Sequence, residues 1–252
     1  MRRFVFLVAI ALVACASNAA LARDNGRNGA FNFRMGGYFP TTDSDFFKEQ
    51  ENAYTFDGSD LNGVTGGMGY TATLNNYVEF DVNADFFYGS TRSADADFED
   101  QNGDLILHDS RLTVIPLTVG FRVLPLGRYG RRGQDGRHYV RRPAPYLGAG
   151  VGMAYWQYEE EGDFVFADPT DPSGFVVDYD RVLDSGLEFE THVQAGIDFP
   201  IGPDWNLTLE ARRSWAEANL SEAFPSTAIS VTDPRKLDLG GYSLLFGASV
   251  QF

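Results

Sequence analysis

The chain has 252 residues, a formal net charge of -15, 27 glycines and 14% aromatic residues. That length suits one all-β barrel or two ordinary domains, and the acidity argues against nucleic acid as a partner. Beyond the N-terminus no stretch stays apolar for the ~18 residues of a transmembrane helix, which leaves membrane-crossing β-strands open.

Residues 1–22 read as a secretory signal. Arg2 and Arg3 precede an apolar core from Phe4 to Val13, and Ala20-Leu21-Ala22 is a small-residue cleavage site. Cleavage there removes the only cysteine, Cys15. The rival reading takes Leu12-Val13-Ala14-Cys15 as a lipobox, with Cys15 lipidated. A short polar lead, residues 23–28, follows, and a barrel domain is expected over 29–252.

Period-two alternation then predicts strands in succession. The first covers Gly29–Phe39 and the second, rich in Gly and Thr, Val64–Leu74. The third is Tyr77–Tyr88, with Val78, Phe80, Val82, Ala84 and Phe86 on one face and Glu79, Asp81, Asn83 and Asp85 on the other. The fourth covers Arg111–Val123. The fifth, Ala144–Tyr158, sets an apolar row against Gly148, Gly150 and Gly152. The sixth is Leu187–Phe199, the seventh Trp205–Ala216, and the last runs from Leu239 to the terminal Phe252. Between them Pro40–Gly63, Gly89–Asp109, Glu159–Gly186 and Glu217–Asp238 read as long acidic loops. Asn75-Asn76 and Ile201–Asp204 read as short turns.

Eight strands whose connections alternate long and short, except at the Arg-rich Leu124–Pro143, predict an all-β fold, an eight-stranded antiparallel up-and-down transmembrane β-barrel. An even count puts both termini on the periplasmic side. The polar rows carry both charge signs, and aromatics gather near strand ends (Phe39, Tyr77, Tyr88, Phe199, Trp205, Trp215, Phe252). The apolar rows should therefore face lipid and the charged rows the lumen. Trp156, on a lumen face, and Arg213, on a lipid face, fit this scheme poorly.

Pro145–Trp156 (PYLGAGVGMAYW) and the terminal DLGGYSLLFGASVQF carry a resemblance to the small outer-membrane β-barrels of the OmpA, OmpX and OmpW type. The resemblance implies eight antiparallel strands, a narrow lumen and an integral location in the outer membrane of a Gram-negative bacterium. Its terminal signal for the barrel-assembly machinery maps to Gly247, Val250 and Phe252, with Leu245 standing where a polar residue is usual.

Four features are candidates for function. Arg34, Glu79, Asp81, Asp85, Arg122, Glu190, His192, Glu210 and Arg212 form an expected lumen charge network, either a structural ion-pair plug or a gated narrow ion path. Acidic runs at Glu159-Glu160-Glu161 and Asp168 to Asp171 form either a solvated surface or a site where divalent cations bridge to lipopolysaccharide. Arg128, Arg131, Arg132, Arg137, Arg141 and Arg142 form a basic periplasmic turn suited to headgroup phosphates or peptidoglycan. His108-Asp109-Ser110 faintly resembles the His-x-Ser of lipid A deacylases. We expect no enzyme, no catalytic residue, no cofactor and no resident metal. The expectation is a monomer with an envelope-integrity or surface-interaction role; a narrow solute channel and a lipid A-modifying enzyme are the alternatives.

Overall fold

The computed structural model describes residues 29–99, 103–132, 139–167, 175–220 and 236–252. The predicted signal, Cys15, the lead, Arg137, Asp168 and Asp171 lie outside them. Eight long strands form one antiparallel ring: β1 (Gly29–Pro40), β2 (Gly63–Asn75), β3 (Val78–Glu99), β4 (Leu105–Val123), β5 (Ala144–Ala167), β6 (Phe175–Pro200), β7 (Trp205–Trp215) and β8 (Gly241–Gln251). Each pairs with its chain neighbours, and β1 closes on β8 with Phe31 opposite Val250 and Phe39 opposite Tyr242. Closure leaves no unpaired edge, which lipid would not tolerate.

The alternation sorts the side chains. Phe31, Phe33, Met35, Val119, Phe121, Leu147, Phe189, Leu209, Tyr242, Leu244 and Phe246 stand exposed on the outer wall. Their row partners, among them Glu79, Asp81, Arg122, Glu190 and Glu210, are buried inside. The strand-end aromatics Tyr77, Tyr88, Phe199, Trp205, Trp215 and Phe252 are all exposed, as an interfacial girdle requires.

Two features depart from the expected elements. First, β3 to β6 run far past the predicted strand ends, to 22 residues in β3 and 26 in β6. The acidic segment after Tyr158 is largely strand. Its charges pair across the sheet: Arg111 reaches Glu159 at 2.9 Å and Glu161 at 2.7 Å, Arg181 reaches Glu159 at 3.0 Å, and Arg92 holds Asp109 at 2.7 Å. Opposite charges on neighbouring strands support pairing where the apolar pattern gives out. Second, the segment after β1 is folded, with a helix α1 (Asp45–Ala53) and a 3-10 turn at Gly58–Leu61. Asp57 caps the turn by accepting from the Ser59 N–H at 2.8 Å.

Candidate functional site

The lumen is filled in layers. At one end of the barrel, the chain leaving β4 turns at Gly127, whose φ of +73° belongs to the left-handed region that glycine adopts without strain. The turn sends Arg128 up into the barrel. There it donates to Glu79 at 2.5 and 2.8 Å and to Asp198 at 2.7 Å. Sequence grouped Arg128 with a basic turn facing the periplasm; it is instead buried in the lumen. Two buried carboxylates draw it there, since a carboxylate taken from water needs a partner. Arg141 ties the same hairpin to the next turn, donating to the carbonyls of Gly202 and Pro203 and to Asn206. Arg142 donates to the Gly127 carbonyl. Arg131 lies in the short strand Tyr129–Arg132 with Arg132 at its end.

The middle layer joins β1, β3, β4, β6 and β7. Arg34 forms a fork on Asp85, both bonds 2.7 Å, and Arg212 reaches the same carboxylate at 2.9 Å. Arg212 also donates to Glu210 at 2.9 Å and to Gln194 at 3.1 Å. Glu210 further meets Arg122 at 3.5 Å and Arg34 at 3.8 Å, and accepts from the Tyr146 hydroxyl at 2.6 Å. Arg122 lies 3.5 Å from Asp81 and 4.7 Å above the Tyr146 ring. Three guanidiniums therefore share three carboxylates. His192 is buried in this layer without a hydrogen bond on either ring nitrogen.

Glycine makes room for the network. A Cβ on Gly67 would lie 2.0 Å from Asp85 Oδ1, and one on Gly150 would lie 2.5 Å from the His192 ring. The small residues of β2 and β5 thus face the large polar residues of β3 and β6 across the strand pairs.

Glu190 sits above the charged layer. Over it the lumen turns apolar: Phe87, Leu112, Val114, Trp156 and Tyr158 meet Phe46 and Phe47 of α1, Leu61, Leu237 and Leu239 in one buried cluster. Both phenylalanines of α1 are 0% exposed, and Phe46 stands edge-on to Tyr158 at 5.2 Å. The helix is a stopper in the mouth at the end where the long strands project. It also accounts for Trp156, whose lumen position gives it this apolar cluster. Arg213, the other misfit, lies at the outer wall 4.3 Å above the Tyr242 ring and 5.5 Å from Trp215, and donates to Thr41. Its guanidinium rises to the aromatic girdle while its stem lies along the wall.

His108 and Ser110 both face inward and are buried. The His108 ring lies 4.5 Å from Tyr54 and 4.7 Å from Phe164, and burial pushes its pKa down. Neither side chain lies on the outer wall. Gly247 pairs with Arg34 in β1, while Phe252 packs against Phe31 with ring centres 5.2 Å apart. Leu245 points into the lumen and is 4% exposed. Among the described residues no group of three or more His, Cys, Asp or Glu could hold a metal ion. The stopper helix and the inward path of Arg128 went unread in the sequence. Ser44 ahead of the helix formers Lys48 to Glu51 is the signal available for the first.

A family model described as outer membrane protein beta-barrel domain matches residues 6–252. No curated protein sequence matches the chain. Among solved structures it is similar to the outer membrane protein OprG from Pseudomonas aeruginosa, at 14% identity, 90% of this chain, 98% of that one and a TM-score of 0.45. It is also similar to Neisserial surface protein A (12%, 90% and 100%, 0.41) and to the E. coli outer membrane protein W (17%, 90% and 100%, 0.39).

Proposed function

The chain belongs to the outer membrane β-barrel family and is an integral outer-membrane protein; within that family we propose that it is a sealed, non-enzymatic barrel. Its role is in envelope integrity and surface interaction. The observation that carries this reading is the succession of three closures along one axis: the Arg128 base, the ion-paired middle and the α1 stopper. An interior of about eight strands is only just filled by side chains, and the cavities among the described residues beside Arg212, Arg122 and Arg128 hold about 30, 10 and 10 Å³. The charged layer then acts as a structural plug. It holds opposite walls together through groups that would each be costly to leave unpaired.

On this reading the protein works as a monomer in lipid and lipopolysaccharide. Gly247, Val250 and Phe252 present the barrel to the assembly machinery. The acidic rim meets the surroundings through ion-paired strands, with divalent cations able to join at the Glu159 to Glu161 run. Purified full-length protein in planar bilayers should show no unitary conductance steps. Steady open-channel current would instead favour a narrow ion path through the middle layer. A lipid A mass profile unchanged by the protein is expected, because His108 and Ser110 face away from the bilayer.

A further inference from the structure

The lumen carboxylates outnumber the guanidiniums at more than one level, and one of them stands without a partner. The base layer sets one guanidinium, Arg128, against Glu79 and Asp198 at the Gly127 end of the barrel. The middle layer sets Arg34, Arg122 and Arg212 against Asp81, Asp85 and Glu210. Glu190 is left over. It is 4% exposed, and among the described residues its carboxylate forms neither a hydrogen bond nor an ion pair within 4.0 Å. A carboxylate taken out of bulk water without a partner is costly to keep charged.

Glu190 faces a cavity of about 30 Å³. Oxygen-bearing residues surround that cavity: Asp85, Thr65, Ser214, Ser243 and Tyr38. Arg212 also lines it but is committed to Asp85 and Glu210. The remaining walls are apolar, formed by Phe87, Val114, Pro116, Leu239 and Leu245. The space takes about one or two water-sized particles. Only two carboxylates reach it, one of them already shared by two guanidiniums. That set is too poor for a hexacoordinate divalent ion, which prefers several carboxylate oxygens. It suits a singly charged ion with hydroxyl ligands.

We propose that this cavity is a binding site for one small monovalent cation, held by Glu190 with Asp85 and the neighbouring hydroxyls. The bound ion supplies the positive charge that the chain does not. This deepens the sealed-barrel reading: the ion is a resident part of the seal. A conducting wild-type barrel would overturn the seal while leaving the site testable by stability.

The test is thermal unfolding of the full-length barrel in liposomes, read by gel migration at fixed pH and ionic strength. Sodium, potassium and lithium chlorides are compared with the chloride of N-methylglucamine, a cation too large for the cavity. Wild type should unfold at least about 3 °C higher with its preferred small ion than with N-methylglucamine. Glu190→Gln should unfold at one temperature in all four salts. If wild type is indifferent to the cation, the proposal fails. In that case a proton on Glu190 is the remaining source of charge, and stability would follow pH alone. Should the variant not fold, the wild-type comparison across the four salts decides by itself.

Discussion

Glu210 is the most connected carboxylate of the lumen, and its neutralisation is the sharpest probe of the plug. It meets Arg212 at 2.9 Å, Arg122 at 3.5 Å and Arg34 at 3.8 Å, and accepts from Tyr146 at 2.6 Å. Glu210→Gln keeps the shape and leaves a carbonyl for Tyr146. It turns a layer of three cations and three anions into one of three and two. Removing one member of a buried ion set costs about 3–5 kcal/mol, because the guanidiniums stay buried without full compensation. For a chain of this size 1 kcal/mol moves Tm by roughly 2–4 °C, so the shift should be roughly 6–20 °C downward. Heat-dependent gel migration of the reconstituted barrel reads it directly. Lys236→Gln, in the exposed pair with Glu217, serves as the control and should change stability by less than about 1 kcal/mol. Adding Arg122→Met to Glu210→Gln should recover part of the loss, since the charge excess disappears and an apolar chain still packs on Tyr146. An unshifted midpoint for Glu210→Gln, together with new bilayer conductance, would falsify the plug and make the layer a gate.

Other outcomes follow from the same geometry. Arg128→Ala leaves Glu79 and Asp198 buried without their cation and should cost about 3–5 kcal/mol in urea unfolding. Gly67→Ala drives a methyl into Asp85 and should cost about 1–3 kcal/mol in the same assay. Replacing Phe46 and Phe47 by Ala removes the stopper's anchors, each worth about 3–5 kcal/mol. Proteolysis between Pro40 and Gly63 should then become rapid while the ring still resists heat. At the outer rim, the Arg92 fork holds the Asp109 pKa down, and the Tyr179 hydroxyl with Arg111 does the same for Glu161. Lowered folded-state values mean these contacts are intact above the ordinary carboxylate range and lost as pH falls through the folded values. Amide exchange in β4 and β5 beyond Arg111 and Glu159 should therefore rise only below about pH 4.

Much of the architecture was legible because a barrel wall is written in single-residue alternation. Tyr242 to Phe252 carries its facing without tertiary help, and so do Phe80 to Phe86. The strand limits were not legible. Beyond Tyr158 the outward positions become Glu159, Glu161 and Asp163, which look like loop until Arg111 and Arg181 on the neighbouring strands are seen beside them. The helix α1 hid for another reason. Phe46 and Phe47 are adjacent and both point into the mouth, so the segment shows no helical stripe. Its burial depends on a cavity made by strands elsewhere in the chain. Arg128 hid among arginines that differ from it only in where a glycine turn aims them. Trp156 and Arg213 were the informative misfits: each marked a place where the wall meets something other than lipid or charge.

The unequal strand lengths give the barrel a front and a back. β7 and β8 have 11 residues each, close to the ~9–11 that cross a bilayer, whereas β5 and β6 have 24 and 26. About 13 surplus residues at about 3.3 Å, tilted by about 40°, raise one side by roughly 30 Å above the other. Among the described residues the β3 to β6 side therefore rises as a parapet above the ends of β7, β8 and β1. A bulky partner, an antibody or a phage fibre that comes from the high side meets this wall before it can reach the stopper. That wall presents the paired charges of Arg92, Arg111 and Arg181 together with exposed Leu107, Val176 and Tyr179.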